Sequence, residues 1–388
     1  MVGDQETGPL PPSKQRRLRS RPRSSLKENA LRKLRNLFIL LVLITTLATT
    51  ASGCFGTGNR PLGWSGVTVS GTNLYFGTHN GTLFSLNRDT GTVQWQLSLS
   101  GAQGVYGAPL VSGDTIYVTT YGGRVFAVNI SGVLKWTSPT TQESKSPDAI
   151  ISGLAYSDGK LFFGSTDNSV YAVNAENGTQ VWKFATGDKI WASPVVDNGI
   201  VYIGSFDNSF YALSAEDGHQ IWKFEAAGVF NASAVIDGNS VIVGSLDRNI
   251  YALDKNSGQE VWRFEGQKWF WADAVIVGNN LYAPNTDGKV YVLNSATGAQ
   301  VASVDLGSSI ASSPALASDQ VVVSTETGKV SAIATASNQV KQISDLQTTI
   351  RAPITSAGEI VYLHSQTNET IYALNAVAGT ALWQYRVQ

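Results

Sequence analysis

The chain has 388 residues, 43% of them hydrophobic and only 15% charged, with 28 Lys and Arg against 29 Asp and Glu. That is enough apolar material for a large core in a single domain, and a lone cysteine, Cys54, excludes any internal disulfide. The near-neutral balance is unevenly spread: residues 1–36 hold ten Lys or Arg against Asp4, Glu6 and Glu28, and acidic side chains outnumber basic ones from residue 54 onward.

The first element in chain order is a basic leader followed by the uncharged run Leu37-Phe38-Ile39-Leu40-Leu41-Val42-Leu43-Ile44 and small residues up to Cys54. A basic flank, a short apolar core and small residues at a cut site describe a secretory signal. The run is shorter than the roughly 20 residues of a membrane span. Ala51-Ser52-Gly53-Cys54 resembles a bacterial lipobox, which implies acylation of Cys54, although Ala51 stands where leucine is usual. Ordinary cleavage, or retention as an uncleaved N-terminal anchor, is the alternative. A positive segment beside an apolar run orients it in the membrane, so the leader is not read as a nucleic-acid arm. The expected organisation is therefore leader and signal over 1–53, a flexible Gly/Pro/Thr/Asn-rich tether over 54–63, and one domain over 64–388.

From residue 64 the chain repeats. Trp191 to Phe224 contains four short apolar runs separated by Asp-Asn-Gly, Asp-Asn and Glu-Asp-Gly. Such residues tolerate the positive φ of tight hairpins, and the alternation of Val, Ile, Tyr and Phe fits strands rather than a helix. Trp95, Trp136, Trp182, Trp222, Trp262, Ala302, Lys341 and Trp383 mark eight copies at intervals of 41, 46, 40, 40, 40, 39 and 42 residues. A glycine stands four residues before seven of these markers, with Ser337 before Lys341. Copy seven has also lost most of the third-strand signature that reads Tyr211-Ala212-Leu213 in copy four. A repeat of about 40 residues with four strands and no helix describes the blade of a β-propeller. An eight-bladed, all-β propeller of antiparallel four-stranded blades is thus the predicted fold, with the recurring tryptophans as packing between blades. The long interval holding Ser138 to Pro147 predicts an extended loop between blades two and three. The last copy contains its own marker strand, so the ring is expected to close without strand exchange.

The segment Ala252-Leu253-Asp254-Lys255-Asn256-Ser257-Gly258-Gln259-Glu260-Val261-Trp262 resembles the tryptophan-docking repeat of the pyrroloquinoline quinone (PQQ)-like propeller superfamily. That superfamily includes quinoprotein alcohol dehydrogenases and BamB-type lipoproteins of envelope-protein assembly. The resemblance covers Trp64 to the C-terminus and implies eight blades with the first strand of each innermost.

A PQQ-dependent dehydrogenase would bring calcium with carboxylate and amide ligands, a catalytic aspartate and commonly adjacent cysteines. The chain has no cysteine pair and no Cys-x-x-Cys-His. Asp273 is the one acid at a position filled by Ala108, Ser193, Ser233 and Ser313 in other copies, and one carboxylate does not make a calcium site. His79, His219 and His364 occupy unrelated positions. Asp167-Asn168, Asp207-Asn208, Asp247-Arg248 and Asp287-Gly288 recur at one hairpin and read as turns. No catalytic, metal or cofactor site is expected.

The binding signal lies at the start of each first strand, where the resemblance implies that Trp64, Tyr106, Ile151, Trp191, Asn231, Trp271, Ala311 and Arg351 face the mouth of a central channel. Beside them lie Lys189, Phe230 and the run Lys268-Trp269-Phe270-Trp271, whose three adjacent aromatics exceed what one buried face needs. Trp64, Tyr106, Trp191, Lys268, Trp269, Phe270, Trp271 and Arg351 are accordingly the candidate contact residues. The expectation is a monomeric, non-catalytic, membrane-tethered extracytoplasmic scaffold that docks an extended peptide or loop of a partner protein, and that binds no nucleic acid. A surface module for carbohydrate or another small ligand is the alternative.

Overall fold

The computed structural model describes residues 65–139 and 148–388. Trp64, Cys54, the leader, the tether and most of the loop expected between blades two and three lie outside the described residues. Among those described there are thirty-two strands and no helix. They form eight four-stranded antiparallel sheets, each from four consecutive strands in simple sequential order. Blade four is representative: Val195–Asp197, Ile200–Gly204, Ser209–Ser214 and Gln220–Glu225. The eight-bladed propeller read from the repeat is therefore the observed fold. Blade eight takes all four strands from Thr355–Ala357 through Thr380–Arg386, so the ring closes with no blade shared between the two ends of the described chain.

Local chemistry explains the blade. Asn198 and Gly199, between the first two strands of blade four, both have positive φ, 47° and 77°, the geometry of a two-residue hairpin whose twist matches its strands. Its second and third strands are buried nearly throughout, whereas the outer strand alternates. The third and fourth strands of every blade are joined through a register shift. In blade four Ala212 pairs with Trp222 but Leu213 pairs with Gln220, leaving Ile221 as the extra residue. Such a bulge re-aims the neighbouring side chain, and here that side chain is the marker tryptophan.

The core is distributed between the blades. Each of the eight buried apolar clusters combines side chains of two adjacent blades. At six of the eight seams the marker tryptophan crosses to the next blade in one way. Trp222 donates its indole N–H to the Lys255 carbonyl at 3.0 Å, and a Cβ at Gly258 would lie 2.6 Å from the indole ring. The same N–H bond joins Trp95 to Ile130, Trp136 to Ala175, Trp182 to Ala215, Trp262 to Ser295 and Trp383 to Arg88. At these six seams the turn glycine of the next blade thus serves the docking tryptophan: it supplies a positive φ and the space in which that indole lies. Trp383 on Arg88 and Gly91 applies this contact between blades eight and one. That seam also holds the contact of His79 Nδ1 with the Glu369 carboxylate at 2.6 Å and His364, whose Nδ1 lies 2.8 Å from the Ser65 carbonyl.

The two seams of blade seven differ. Ala302 and Lys341 stand at the docking position; Tyr282 with Val304, Val321 and Val323 fills the first of these seams, and the buried apolar cluster of the second is aliphatic. The bulge of blade seven has moved as well, to between Val330 and Ser331.

Truncating a buried docking tryptophan removes its packing and its hydrogen bond to the next blade. Trp222→Ala is expected to lower the free energy of unfolding by about 3–5 kcal/mol in denaturant titrations followed by circular dichroism. Trp269→Ala, at an exposed side chain, should change it by less than about 0.5 kcal/mol. Equal costs would contradict the docking account.

Candidate functional site

In blade four Ile190 and Ala192 are buried between blades, so the alternation of an extended chain turns Trp191 and Ser193 the other way. Blade six repeats this, with Phe270 and Ala272 buried and Trp271 and Asp273 turned out. The outward set surrounds a cavity of about 350 Å³. Tyr106, Ile151, Trp191, Asn231, Trp271, Ala311 and Arg351 form its first ring. Two residues further along each segment, Ala108, Gly153, Ser193, Ser233, Asp273, Ser313 and Pro353 form a second. The structure therefore brings together every described member of the ring named from the repeats.

Three hydrogen bonds spanning one repeat link members of the second ring. The Gly153 N–H donates to Ser193 Oγ at 2.8 Å, the Ser233 N–H to Asp273 Oδ1 at 2.6 Å, and the Asp273 N–H to Ser313 Oγ at 3.1 Å. In the first ring Asn231 Nδ2 donates to the Trp271 carbonyl at 3.1 Å. Asp273 thus occupies a place in the wall that serine fills in neighbouring blades, and it adds a carboxyl group. Burial pushes the Asp273 carboxyl above its ordinary value, against the opposing effect of the Ser233 N–H and the adjacent Ser313 and Ser233 side chains. Two further polar atoms of cavity-lining residues, Trp191 Nε1 and Asn231 Oδ1, are buried without a hydrogen-bond partner.

The contact residues inferred from sequence fall into distinct settings. Trp191 packs on Phe206 at 4.7 Å between ring centroids, and Lys189 Nζ lies 4.6 Å from the Phe206 ring centre and 5.7 Å from that of Trp191. Lys268 is exposed, and Trp269 is 52% exposed on a backbone held by Thr286: the Trp269 N–H donates to Thr286 Oγ1, and its carbonyl accepts the Thr286 N–H at 3.0 Å. Arg351 is exposed and paired with Glu326 at 2.8 Å. Tyr106 lines the cavity but is only 3% exposed, packed on Tyr121. Phe270 corrects the sequence expectation. It is 1% exposed and packs on Tyr291, because between an outward Trp269 and an axial Trp271 the alternation sends it into the seam. Phe230 is buried for the same reason.

The repeated hairpin carboxylates have structural work. Asp207 Oδ1 accepts the Ser209 N–H inside its own turn, while Oδ2 accepts the Tyr211 hydroxyl at 2.6 Å. Asp167, Asp247 and Asp287 bind Tyr171, Tyr251 and Tyr291 alike. Burial, with the Asp167 hydrogen bond, pushes the Tyr171 hydroxyl up to about 12. The Asp-x-x-x-Tyr spacing was visible in the sequence as a signal for this pair. Calcium takes six to eight oxygen ligands, with carboxylates prominent among them. Among the described residues lining the axial cavity Asp273 is the one carboxylate, with one oxygen already engaged, so the donor set does not fit the calcium ion of a quinone site.

Because serine accepts the same wall hydrogen bond in blades four and seven, Asp273→Ser keeps the ring connected and removes a buried acid. A carboxyl raised in the folded state binds its proton more tightly there than in the unfolded chain, so its contribution to stability declines as pH rises above the unfolded value of about 3.8. Asp273→Ser is therefore expected to be more resistant to urea than the parent chain at pH 7, with the gap closing toward pH 4. A gap that is absent at pH 7, or that widens on acidification, would refute this.

Comparison with known proteins agrees with the geometry. A putative dehydrogenase, XoxF, of Paracoccus denitrificans is 34% identical over 125 residues, 29% of this chain and 21% of that protein. The outer membrane protein assembly factor BamB of Yersinia pestis is 31% identical over 119 residues, 30% of each chain. The chain thus spans less than a third of the length of these relatives. Among solved structures, BamB from Moraxella catarrhalis superposes with a TM-score of 0.68 at 15% identity, covering 78% of this chain and 93% of that one. The computationally designed protein Ika8 does so with a TM-score of 0.69 at 17% identity, covering 81% and 97%. At those identities the likeness is one of fold. Over residues 55–165 and 166–385 the chain matches the family model described as outer membrane protein assembly factor BamB, and it belongs to that family of PQQ-like β-propellers.

Proposed function

We propose that the chain is a non-catalytic binding and scaffold protein of the cell envelope, tethered outside the cytoplasm by a lipid on Cys54, which docks an extended peptide or loop at the channel mouth. The observation carrying this reading is the rim itself. An exposed Trp269 is fixed through its backbone beside Trp271, with Trp191, Phe206 and Lys189 two blades away. Rigid aromatics with cationic neighbours are the composition of binding hot spots, and placing them on a closed ring costs little entropy on docking. The family description and the BamB relatives support an envelope-assembly role, with the cell membrane or the outer membrane as the anchoring surface. The axial cavity favours one second reading, a small-ligand or carbohydrate module in which the same aromatics are stacking platforms.

Combined Trp191→Ala, Trp269→Ala and Trp271→Ala substitution is expected to reduce protein capture in cell cross-linking by about tenfold or more, with circular dichroism still reporting a folded ring. Unchanged capture would remove the mouth from consideration. Glycan binding with no captured protein would favour the second reading, and dye-linked alcohol oxidation on adding PQQ and calcium would overturn the non-catalytic one.

Stable anchoring of a lipoprotein depends on its acylated cysteine. Cys54→Ala is expected to move most of the protein from the membrane fraction to the soluble extracytoplasmic fraction, and persistence at the membrane would point instead to an uncleaved anchor.

A further inference from the structure

The second ring of the cavity poses a chemical question that the fold leaves open. In its wall the hydroxyls of Ser193 and Ser313 each accept a backbone N–H from the preceding blade. Asp273 supplies the same acceptor to the Ser233 N–H, so its negative charge is surplus to the wall. A buried carboxylate is costly unless a counter-charge or several donors compensate it. The first-ring cation, Arg351, is engaged outside the cavity lining by Glu326. The Asp273 carboxyl therefore faces a cavity of about 350 Å³ bounded on the mouth side by Trp191 and Trp271, with Asn231 Oδ1 buried and unpartnered in the same lining.

We infer that this axial pocket takes a primary ammonium group, seated on Asp273 and Asn231 Oδ1 beneath the tryptophans. An alkylammonium carries three donors and no acceptor, so two oxygen acceptors and an aromatic wall complete its surroundings. A divalent cation, by contrast, favours several carboxylate oxygens, and Asp273 is the one carboxylate among the described residues of the lining. The raised pKa of Asp273 agrees with a carboxyl that lacks its counter-charge. The ammonium reaches the pocket either as a free small amine or as the lysine side chain of a docked peptide. In the second case the inference rests on the docking reading, and in the first it stands apart from it.

The test uses the full-length protein, with isothermal titration and tryptophan fluorescence as readouts. The probes are n-butylamine, with n-butanol as the neutral control, and a five-residue capped peptide with a central lysine, with norleucine as its control. Each is measured on the parent chain, Asp273→Ser and Asp273→Asn, whose folding is checked by thermal denaturation. The expected result is saturable binding of butylamine, the lysine peptide or both, weakened about tenfold or more in both variants and absent for the neutral controls. The probe that binds names the source of the ammonium. No saturable binding of either probe at millimolar concentration, or equal binding by the folded variants, would overturn the inference. Partner cross-linking is measured in parallel on Asp273→Ser: capture retained while amine binding is lost supports the pocket as a separate site. Amine binding retained in the triple tryptophan variant while capture is lost places the docking surface apart from it.

Discussion

Six of the eight seams of this ring depend on an indole lying against a glycine of the neighbouring blade. A four-stranded sheet cannot cover both of its own faces, so each blade is stable only through what its neighbours cover. The docking tryptophan meets that need twice over: its ring closes the apolar seam, and its N–H holds a turn carbonyl on the next blade. Three seams reinforce the bond with a second donor, since Tyr117, Tyr202 and Tyr362 donate to the carbonyls already bound by Trp136, Trp222 and Trp383. Blade seven shows the contact's worth by its absence. With Ala302 and Lys341 at the docking position the flanking seams have no docked indole, Tyr282 being the buried aromatic of the first and the cluster of the second being aliphatic, and the bulge that elsewhere aims the tryptophan is displaced.

Most of this was legible in the amino-acid sequence because packing between equivalent blades repeats, and repetition is what a linear reading detects. The marker spacing and the turn glycines follow from period alone, and the resemblance to PQQ-like propellers adds the axial position of Trp191, Asn231 and Trp271. What escaped is what period cannot express. The bulge at Ile221 adds a residue without breaking the pattern of apolar positions, so it changes direction rather than composition. Phe270 was grouped with its aromatic neighbours, although two residues on the same side of an extended chain are never adjacent, and the phenyl belongs to the seam with Tyr291. The hydrogen bonds linking Gly153 to Ser193 and Asp273 to Ser313 join residues 40 positions apart and become visible only once the ring is closed.

The same division separates fold from function. Positions that must agree from blade to blade build the scaffold, and positions free to differ are where a site can arise. The axis is where the blades differ most: tyrosine, isoleucine, tryptophan, asparagine, alanine and arginine share one ring, and a single aspartate interrupts small and neutral residues in the next. Relatives by sequence include both a putative dehydrogenase and an assembly factor. Unequal axial residues on equal blades are a physical basis for that range.

Blade eight meets blade one through Trp383, Arg88 and Gly91, the contact used at the internal seams, and no sheet borrows a strand from the opposite end of the described chain. A ring that interleaved its ends could not complete its closing blade until its last strand was made. Here the geometry is indifferent to the order of synthesis: a circular permutant, cut at another inter-blade turn and rejoined at the old ends, would contain the same eight sheets and the same docked indoles.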